Sequence, residues 1–296
     1  MVAQEVQVFI IWSKGLDQRE KILKDVEHRF EVLQCVDTTW SKNKFSENLS
    51  RFYGENLPKN SSKEKHCGTD TFLCVIVRDN KPVYELRETS KGIKPVNINM
   101  FDAKQVYREW TGGGHKIHGS DNVTEARSNI YLLFGITYDT LLNFKETGIK
   151  KSFSNDLIGA HGWKSLDELF KALNELSNYV VLRNFVNIED ELNNLHPDID
   201  ILTDNKRLIA DISNGKPTYK DGRRVQHLAM INNQKVFFDF RFIGDGYYDF
   251  RWQQQILGKR IVYQNMFVPN IENHFFSLMY HAFIHKEKVI SDYVLK

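Results

Sequence analysis

Ile117-His118-Gly119-Ser120-Asp121 closes a segment that begins with three glycines, Gly112 to Gly114, and it leads directly into a helix-like pattern. A histidine on a tight glycine-bordered segment, with a hydroxyl two residues on and a carboxylate three on, is a candidate phosphoryl-transfer nucleophile. Imidazole has an unperturbed pKa of about 6.5, so its lone pair is available near neutral pH. Small neighbours let phosphate oxygens approach the backbone N–H groups closely. An ordinary loop histidine has the same description, and residue type alone leaves both readings open.

Working outward, Val8-Phe9-Ile10-Ile11 reads as a first strand and Gln18 to Phe30 as a helix. Val32-Leu33 begins a second strand, and Phe72 to Val77 supplies a core strand. In this order, the stretch Gly113 to Leu133 (GGHKIHGSDNVTEARSNIYLL) resembles the catalytic segment of nucleoside diphosphate kinases. In that family the Ile-His-Gly-Ser-Asp histidine takes a phosphoryl group from one nucleotide and passes it to another. The resemblance covers about the first half of the chain. It implies a ferredoxin-like antiparallel sheet covered by helices, with His118 as the phosphoryl acceptor and Ser120 and His115 beside the phosphates. His115 stands where the kinases carry Asn, Gly114 where they carry Arg, and Asn129 where an acid steadies the histidine. Trp12-Ser13-Lys14-Gly15 replaces the first-strand Lys-Pro-Asp, with Lys14 as the substitute phosphate contact.

At 296 residues the chain accommodates two domains. Its composition, 41% hydrophobic and 26% charged, is that of a folded globular protein. A net charge of +2 argues against nonspecific polyanion binding, so nucleic acid is not the expected partner. The basic pairs Lys206-Arg207 and Arg223-Arg224 read as solvated surface. Cys35, Cys67 and Cys74 have no metal-ligand spacing and are expected as free thiols in a reducing compartment. No apolar run approaches the roughly 20 residues that span a bilayer, and no signal-peptide core is visible, so the expected location is cytoplasmic.

There are no internal repeats. Pro58 to Lys65 (PKNSSKEK) reads as a surface loop, and the domain boundary is expected after residue 150, giving domains 1–150 and 151–296. Ser165 to Leu176 carries an N-cap serine, a glutamate three residues on and leucines at helical spacing. Tyr179 to Leu182 follows as a short buried strand. Helices and strands alternate in both halves, so the class is α/β or α+β.

His196-Pro197-Asp198-Ile199-Asp200-Ile201-Leu202 is the second constellation. In a strand, residues two apart share a face, so Asp198 and Asp200 would present two carboxylates together. Such a pair repels unless a cation lies between, and Mg²⁺ is the usual hard, oxygen-seeking choice. Asp239, in the strand-like Lys235 to Arg241, is a third candidate ligand. Asp198 as a turn cap and Asp200 as a strand end remain the plainer alternative. The order of parts from Ser165 to Lys286 resembles nucleotidyltransferases of the DNA polymerase beta type, and its closing section resembles a group associated with bacterial surface-polysaccharide genes. That resemblance implies Asp198, Asp200 and Asp239 as catalytic Mg²⁺ ligands. Where that family carries a Gly-Ser pair this chain has Leu182-Arg183-Asn184-Phe185, and Arg183, with Asn184 and Arg241, would contact the triphosphate. His281 and His285, four apart on an expected helix, suit packing or phosphate better than zinc, since no third ligand is evident.

Together these readings lead us to expect Mg²⁺-dependent nucleotidyl or phosphoryl transfer from a nucleoside triphosphate to a sugar, polyol or glycan acceptor. The alternatives are a nucleotide-binding regulatory or scaffold protein with decayed sites, and a transferase that uses a nucleotide-sugar. A homo-oligomer is compatible with the first resemblance, but no motif specifies one.

Overall fold

A computed structural model describes residues 4–90, 92–143, 151–193, 197–219 and 225–285. The expected boundary residue 150 and His196, Arg223, Arg224 and Lys286, named above, lie outside the described residues. The chain divides into two compact units, Met1–Ala160 and His161–Lys296.

The first unit runs β1 (Glu5–Ile11), a 3-10 turn (Ser13–Gln18), α1 (Arg19–Arg29), β2 (Glu31–Thr39), α2 (Phe45–Tyr53), α3 (Ser62–Cys67) and β3 (Phe72–Asp79). It continues with β4 (Tyr84–Thr89), β5 (Gly92–Asn97), α4 (Ile98–Trp110), β6 (Ile117–Gly119), α5 (Val123–Phe134), α6 (Tyr138–Asn143) and β7 (Ser152–Ser154). Its main sheet has the order β6-β1-β3-β2-β7, antiparallel through the first four strands. Those four strands follow the split βαβ, ferredoxin-like path. β1 and β3 lie at its centre and are buried along nearly their whole lengths, which is why both read as continuous apolar runs. Phe9 and Ile11 pack with Ile22 and Val26 of α1 and Met100, Ala103 and Tyr107 of α4 in one apolar core. Ile10, one residue out of phase, points to the opposite face of the sheet.

Two sequence expectations change. Pro58 to Lys65 is a loop only as far as Ser61, which caps α3, its Oγ accepting from Glu64 N at 3.2 Å while Glu64 Oε2 accepts from Asn60 N at 2.8 Å. This is a capping box whose helix is too short to show an apolar period. The first unit also runs past residue 150. β7 pairs in parallel with β2, and Asp156 accepts from Ser41 N at 2.9 Å and Asn48 Nδ2 at 2.7 Å. The β4–β5 hairpin was not foreseen, because its side chains are mostly exposed and carry no buried period.

The second unit runs α7 (Leu166–Leu176), β8 (Tyr179–Val181), α8 (Ile188–Glu191), β9 (Asp198–Thr203), α9 (Lys206–Ser213), β10 (Lys216–Pro217) and β11 (Gln226–Ile231). Then come β12 (Gln234–Phe242), α10 (Phe250–Gly258), β13 (Ile261–Tyr263), β14 (Met266–Val268) and α11 (Ile271–Tyr280), which passes into a π-helical turn at His281–His285. The main sheet has the order β10-β11-β12-β9-β8, with β12 and β9 parallel and the other pairs antiparallel. The β11–β12 hairpin turns on Asn232 and Asn233, both at positive φ, the conformation a tight two-residue turn demands. Among the described residues no helix is long and apolar enough to cross a membrane.

One close approach ties the first sheet to the histidine segment. Gly119 pairs with Phe9, and a Cβ there would lie 3.0 Å from Phe9 Cδ1 and Cε1. A side chain at 119 must therefore displace a ring wedged in the core. Gly119→Ala is expected to cost about 1–3 kcal/mol of stability, as overpacking does. Urea denaturation reads this directly, and an unchanged midpoint would mean that the Phe9 ring is free to move.

Candidate functional site

His118 is fixed from three directions by local rules. β6 pairs Ile117, His118 and Gly119 with Ile11, Ile10 and Phe9, so the imidazole leaves the sheet on the Ile10 face, away from the α1–α4 core. Asn122 caps α5, its side chain accepting from Glu125 N at 3.0 Å, while Glu125 Oε2 accepts from Asp121 N at 2.7 Å. This reciprocal cap sets the phase of α5. Asn129, about two turns in, then meets the ring: His118 Nε2 and Asn129 Oδ1 are 2.8 Å apart. Phe52 and Tyr53 of α2 stand edge-on to the imidazole at 5.1 and 5.3 Å.

The ring is 5% exposed. Burial holds its pKa below 6.5, with the Lys104 charge adding to that effect and Glu125 opposing it. His118 is therefore neutral at neutral pH. With the Asn129 carbonyl oxygen as acceptor, the proton sits on Nε2 and Nδ1 keeps its lone pair. Nδ1 has no hydrogen-bond partner among the described residues, and His118 lines a cavity of about 600 Å³.

The rest of that cavity is strongly polar. Lys104 and Arg108 of α4 are four residues apart, on one helix face. Arg108 donates Nε to Ile117 O at 3.2 Å and has no carboxylate partner among the described residues. Lys104 is buried. It contacts Asp121 Oδ1 and donates to Gly119 O at 3.3 Å, while Lys94 of β5 reaches Asp121 Oδ2 at 2.8 Å. Burial lowers the Lys104 pKa, and Asp121 opposes the shift. Burial alone would raise Asp121, but the two lysines hold its carboxyl below the usual range. Lys63 on the other side is paired with Glu55 at 2.6 Å.

Gly112, Gly113 and Gly114 all have positive φ, a run that only glycine adopts without strain. They swing His115 into the cavity wall. Gly114 lies under His66, whose ring is 5.6 Å from that of His115, and Cys67 Sγ donates to His115 O at 3.4 Å. Burial and the nearby Lys63 and Arg108 lower the His115 pKa.

The sequence candidates separate here. His118 and His115 both line the cavity. Ser120 does not: its hydroxyl is buried, donating to Gln7 Oε1 at 2.6 Å and accepting from Val8 N at 3.1 Å, so it joins β6 to β1. Lys14 is exposed on the 3-10 turn and is not part of the lining. Lys94, Lys104 and Arg108 were missed. The i,i+4 spacing of Lys104 and Arg108 was the available signal, but on a solvated helix it looks the same.

In the second unit the acids meet largely as the alternation requires. Asp198 and Asp200 occupy alternate positions of β9, and Asp239 is the direct parallel partner of Asp200. Asp198 is exposed at the strand start, whereas Asp200 is buried. The counter-charge is arginine. Arg183 lies 2.6 Å from Asp200 Oδ1 and 3.2 Å from Tyr247 Oη. Arg241 is 3.8 Å from Asp239, 3.8 Å from Asp245 and 4.0 Å from the centre of the Tyr247 ring. Burial and then the Asp200 charge raise the Asp239 pKa. Arg183 is thus held in an ion pair with Asp200. Asn184, at positive φ, lines a separate cavity of about 470 Å³ with Phe185 and His274. His281 Nδ1 bonds Tyr247 Oη at 2.8 Å and His285 stacks on the same ring at 4.2 Å, so both serve Tyr247. Among the described residues no group of three or more His, Cys, Asp or Glu is placed to hold a metal ion, and the three expected Mg²⁺ ligands do not form such a site.

The buried neutral histidine gives a pH dependence with a defined sign. Its native pKa lies below the unfolded value of 6.5, so below that pH the unfolded chain binds more protons. The contribution of His118 is fully present above about pH 6.5 and is lost as pH falls toward the native pKa. The stability of wild type relative to His118→Gln is therefore expected to be greater at about pH 7.5 than at about pH 5. Urea titrations at the two pH values measure it, and a difference that grows toward acid would reverse the assignment.

No model of a known protein family matches the chain, and no curated protein matches it. Among solved structures, the nucleoside diphosphate kinase of Aquifex aeolicus aligns at 15% identity over 43% of this chain and 93% of its own, with a TM-score of 0.30.

Proposed function

We propose that the first unit binds a phosphorylated nucleotide in the His118 cavity and that His118 Nδ1 accepts its terminal phosphoryl group. One observation carries this reading: a neutral, buried imidazole at a polar cavity, whose Nε2 is engaged and whose Nδ1 lone pair has no partner among the described residues. In the step proposed, the bond from the terminal phosphorus to its bridging oxygen breaks and a P–N bond forms at Nδ1. The nucleoside diphosphate leaves with the bridging oxygen, and Nε2 keeps its proton against Asn129. Arg108 would neutralise charge on the transferring group. Ile-His-Gly-Ser-Asp and its setting, from Gly113 to Leu133, support the same reading through their resemblance to nucleoside diphosphate kinases. Phosphoryl transfer onward would reach a second nucleotide or the sugar or polyol hydroxyl expected from the sequence.

The second reading, a nucleotide-binding regulatory protein, is favoured by Asn129. An amide oxygen accepts the Nε2 proton but carries no charge to stabilise the imidazolium that phosphorylation creates, as a carboxylate would.

Incubation with γ-labelled ATP or GTP and Mg²⁺, which accompanies the nucleotide on its own phosphates, separates the two. The proposal expects acid-labile, alkali-stable label that is lost in His118→Ala and forms roughly 10²-fold more slowly in Arg108→Ala. Nucleotide binding with no label in wild type would leave the regulatory reading.

A further inference from the structure

We infer that the Arg183 guanidinium occupies, in the second unit, the place a divalent cation would take, so that arginine and not metal closes the Asp200–Asp239 pair. Parallel pairing sets these residues side by side on one face, with strands about 4.8 Å apart. A buried carboxylate, Asp200, beside a half-buried one, Asp239, requires positive charge nearby. Arg183 supplies it from the segment after β8, with its guanidinium 2.6 Å from Asp200 Oδ1. The same group bonds Tyr247 Oη at 3.2 Å, and that hydroxyl is in turn 2.8 Å from His281 Nδ1. Arg241, two residues beyond Asp239 on the same strand face, covers the ring of Tyr247 at 4.0 Å.

A Mg²⁺ ion needs near-octahedral oxygen ligands at about 2.0–2.1 Å. One oxygen of the pair, Asp200 Oδ1, is already held by a planar cation that also bonds Tyr247. Asp198, the third acid of the expected set, lies at the exposed start of its strand and does not compensate. The second unit therefore builds its polar centre from Arg183 and Arg241 set against Asp200, Asp239 and Asp245, with arginine in the place a metal would take. This conclusion concerns a different unit from the nucleotide cavity and stands whether or not His118 is phosphorylated.

Mn²⁺ binding without nucleotide, read from the electron paramagnetic resonance of free Mn²⁺, tests the inference on the full chain. Wild type and Asp200→Asn should bind Mn²⁺ equally. Arg183→Met should melt at a lower temperature than wild type in EDTA, bind an additional Mn²⁺ and recover much of the lost melting temperature with it. The additional ion should be absent from the Arg183→Met/Asp200→Asn double variant. Wild type holding Mn²⁺ that Asp200→Asn releases would overturn the inference, and this comparison decides the matter even if Arg183→Met does not fold. A folded Arg183→Met chain indifferent to Mn²⁺ would overturn it too.

Discussion

The hydrogen bond between His118 Nε2 and Asn129 Oδ1, 2.8 Å long, is the constraint on which the first unit's cavity depends. It joins a three-residue edge strand to a helix whose phase is set by the Asn122–Glu125 cap. Without that partner a buried imidazole would have an unsatisfied N–H, which costs about 1–3 kcal/mol. With it, one nitrogen is fixed as donor and the other is left as a base. Around this centre, Gly119 gives way to Phe9, Ser120 joins the neighbouring strand, and Lys104 and Lys94 close on Asp121.

Both units bury charge, and they resolve it differently. In the first, lysines and acids line an open cavity and leave Arg108 without a carboxylate among the described residues, which gives an anionic ligand somewhere to go. In the second, Arg183 and Arg241 are absorbed by Asp200, Asp239, Asp245 and Tyr247. A site whose arginines already face carboxylates of its own has less to offer an anion than one whose arginine meets none among the described residues.

Much of the fold was legible because burial writes itself into periodicity. β1 and β3 announced themselves as apolar runs, and α7 by its serine cap and leucine spacing. What escaped notice had no such pattern. α3 is six residues long, and the β4–β5 hairpin keeps its side chains in solvent. At the sites, the shared face of Asp198 and Asp200 was legible from a period of two, and the glycine-bordered His118 lies at the wall of the first unit's cavity. Lys104, Lys94 and Arg183 were not assigned their observed roles, because an isolated lysine or arginine carries no record of the carboxylate it will meet across the fold. Ser120 misled for the converse reason: a hydroxyl beside a candidate nucleophile looks catalytic until Gln7, 113 positions earlier, accepts its hydrogen bond.

The most direct test of this account is the tautomer of His118. Two-bond ¹H–¹⁵N correlation spectra of the imidazole side chains at neutral pH, with His118→Gln to assign the resonance, report which nitrogen carries hydrogen. The account predicts a neutral ring protonated at Nε2, with Nδ1 at the shift of a bare, pyridine-like nitrogen. A ring protonated at Nδ1, or at both nitrogens, would contradict it and remove the proposed nucleophile from the cavity.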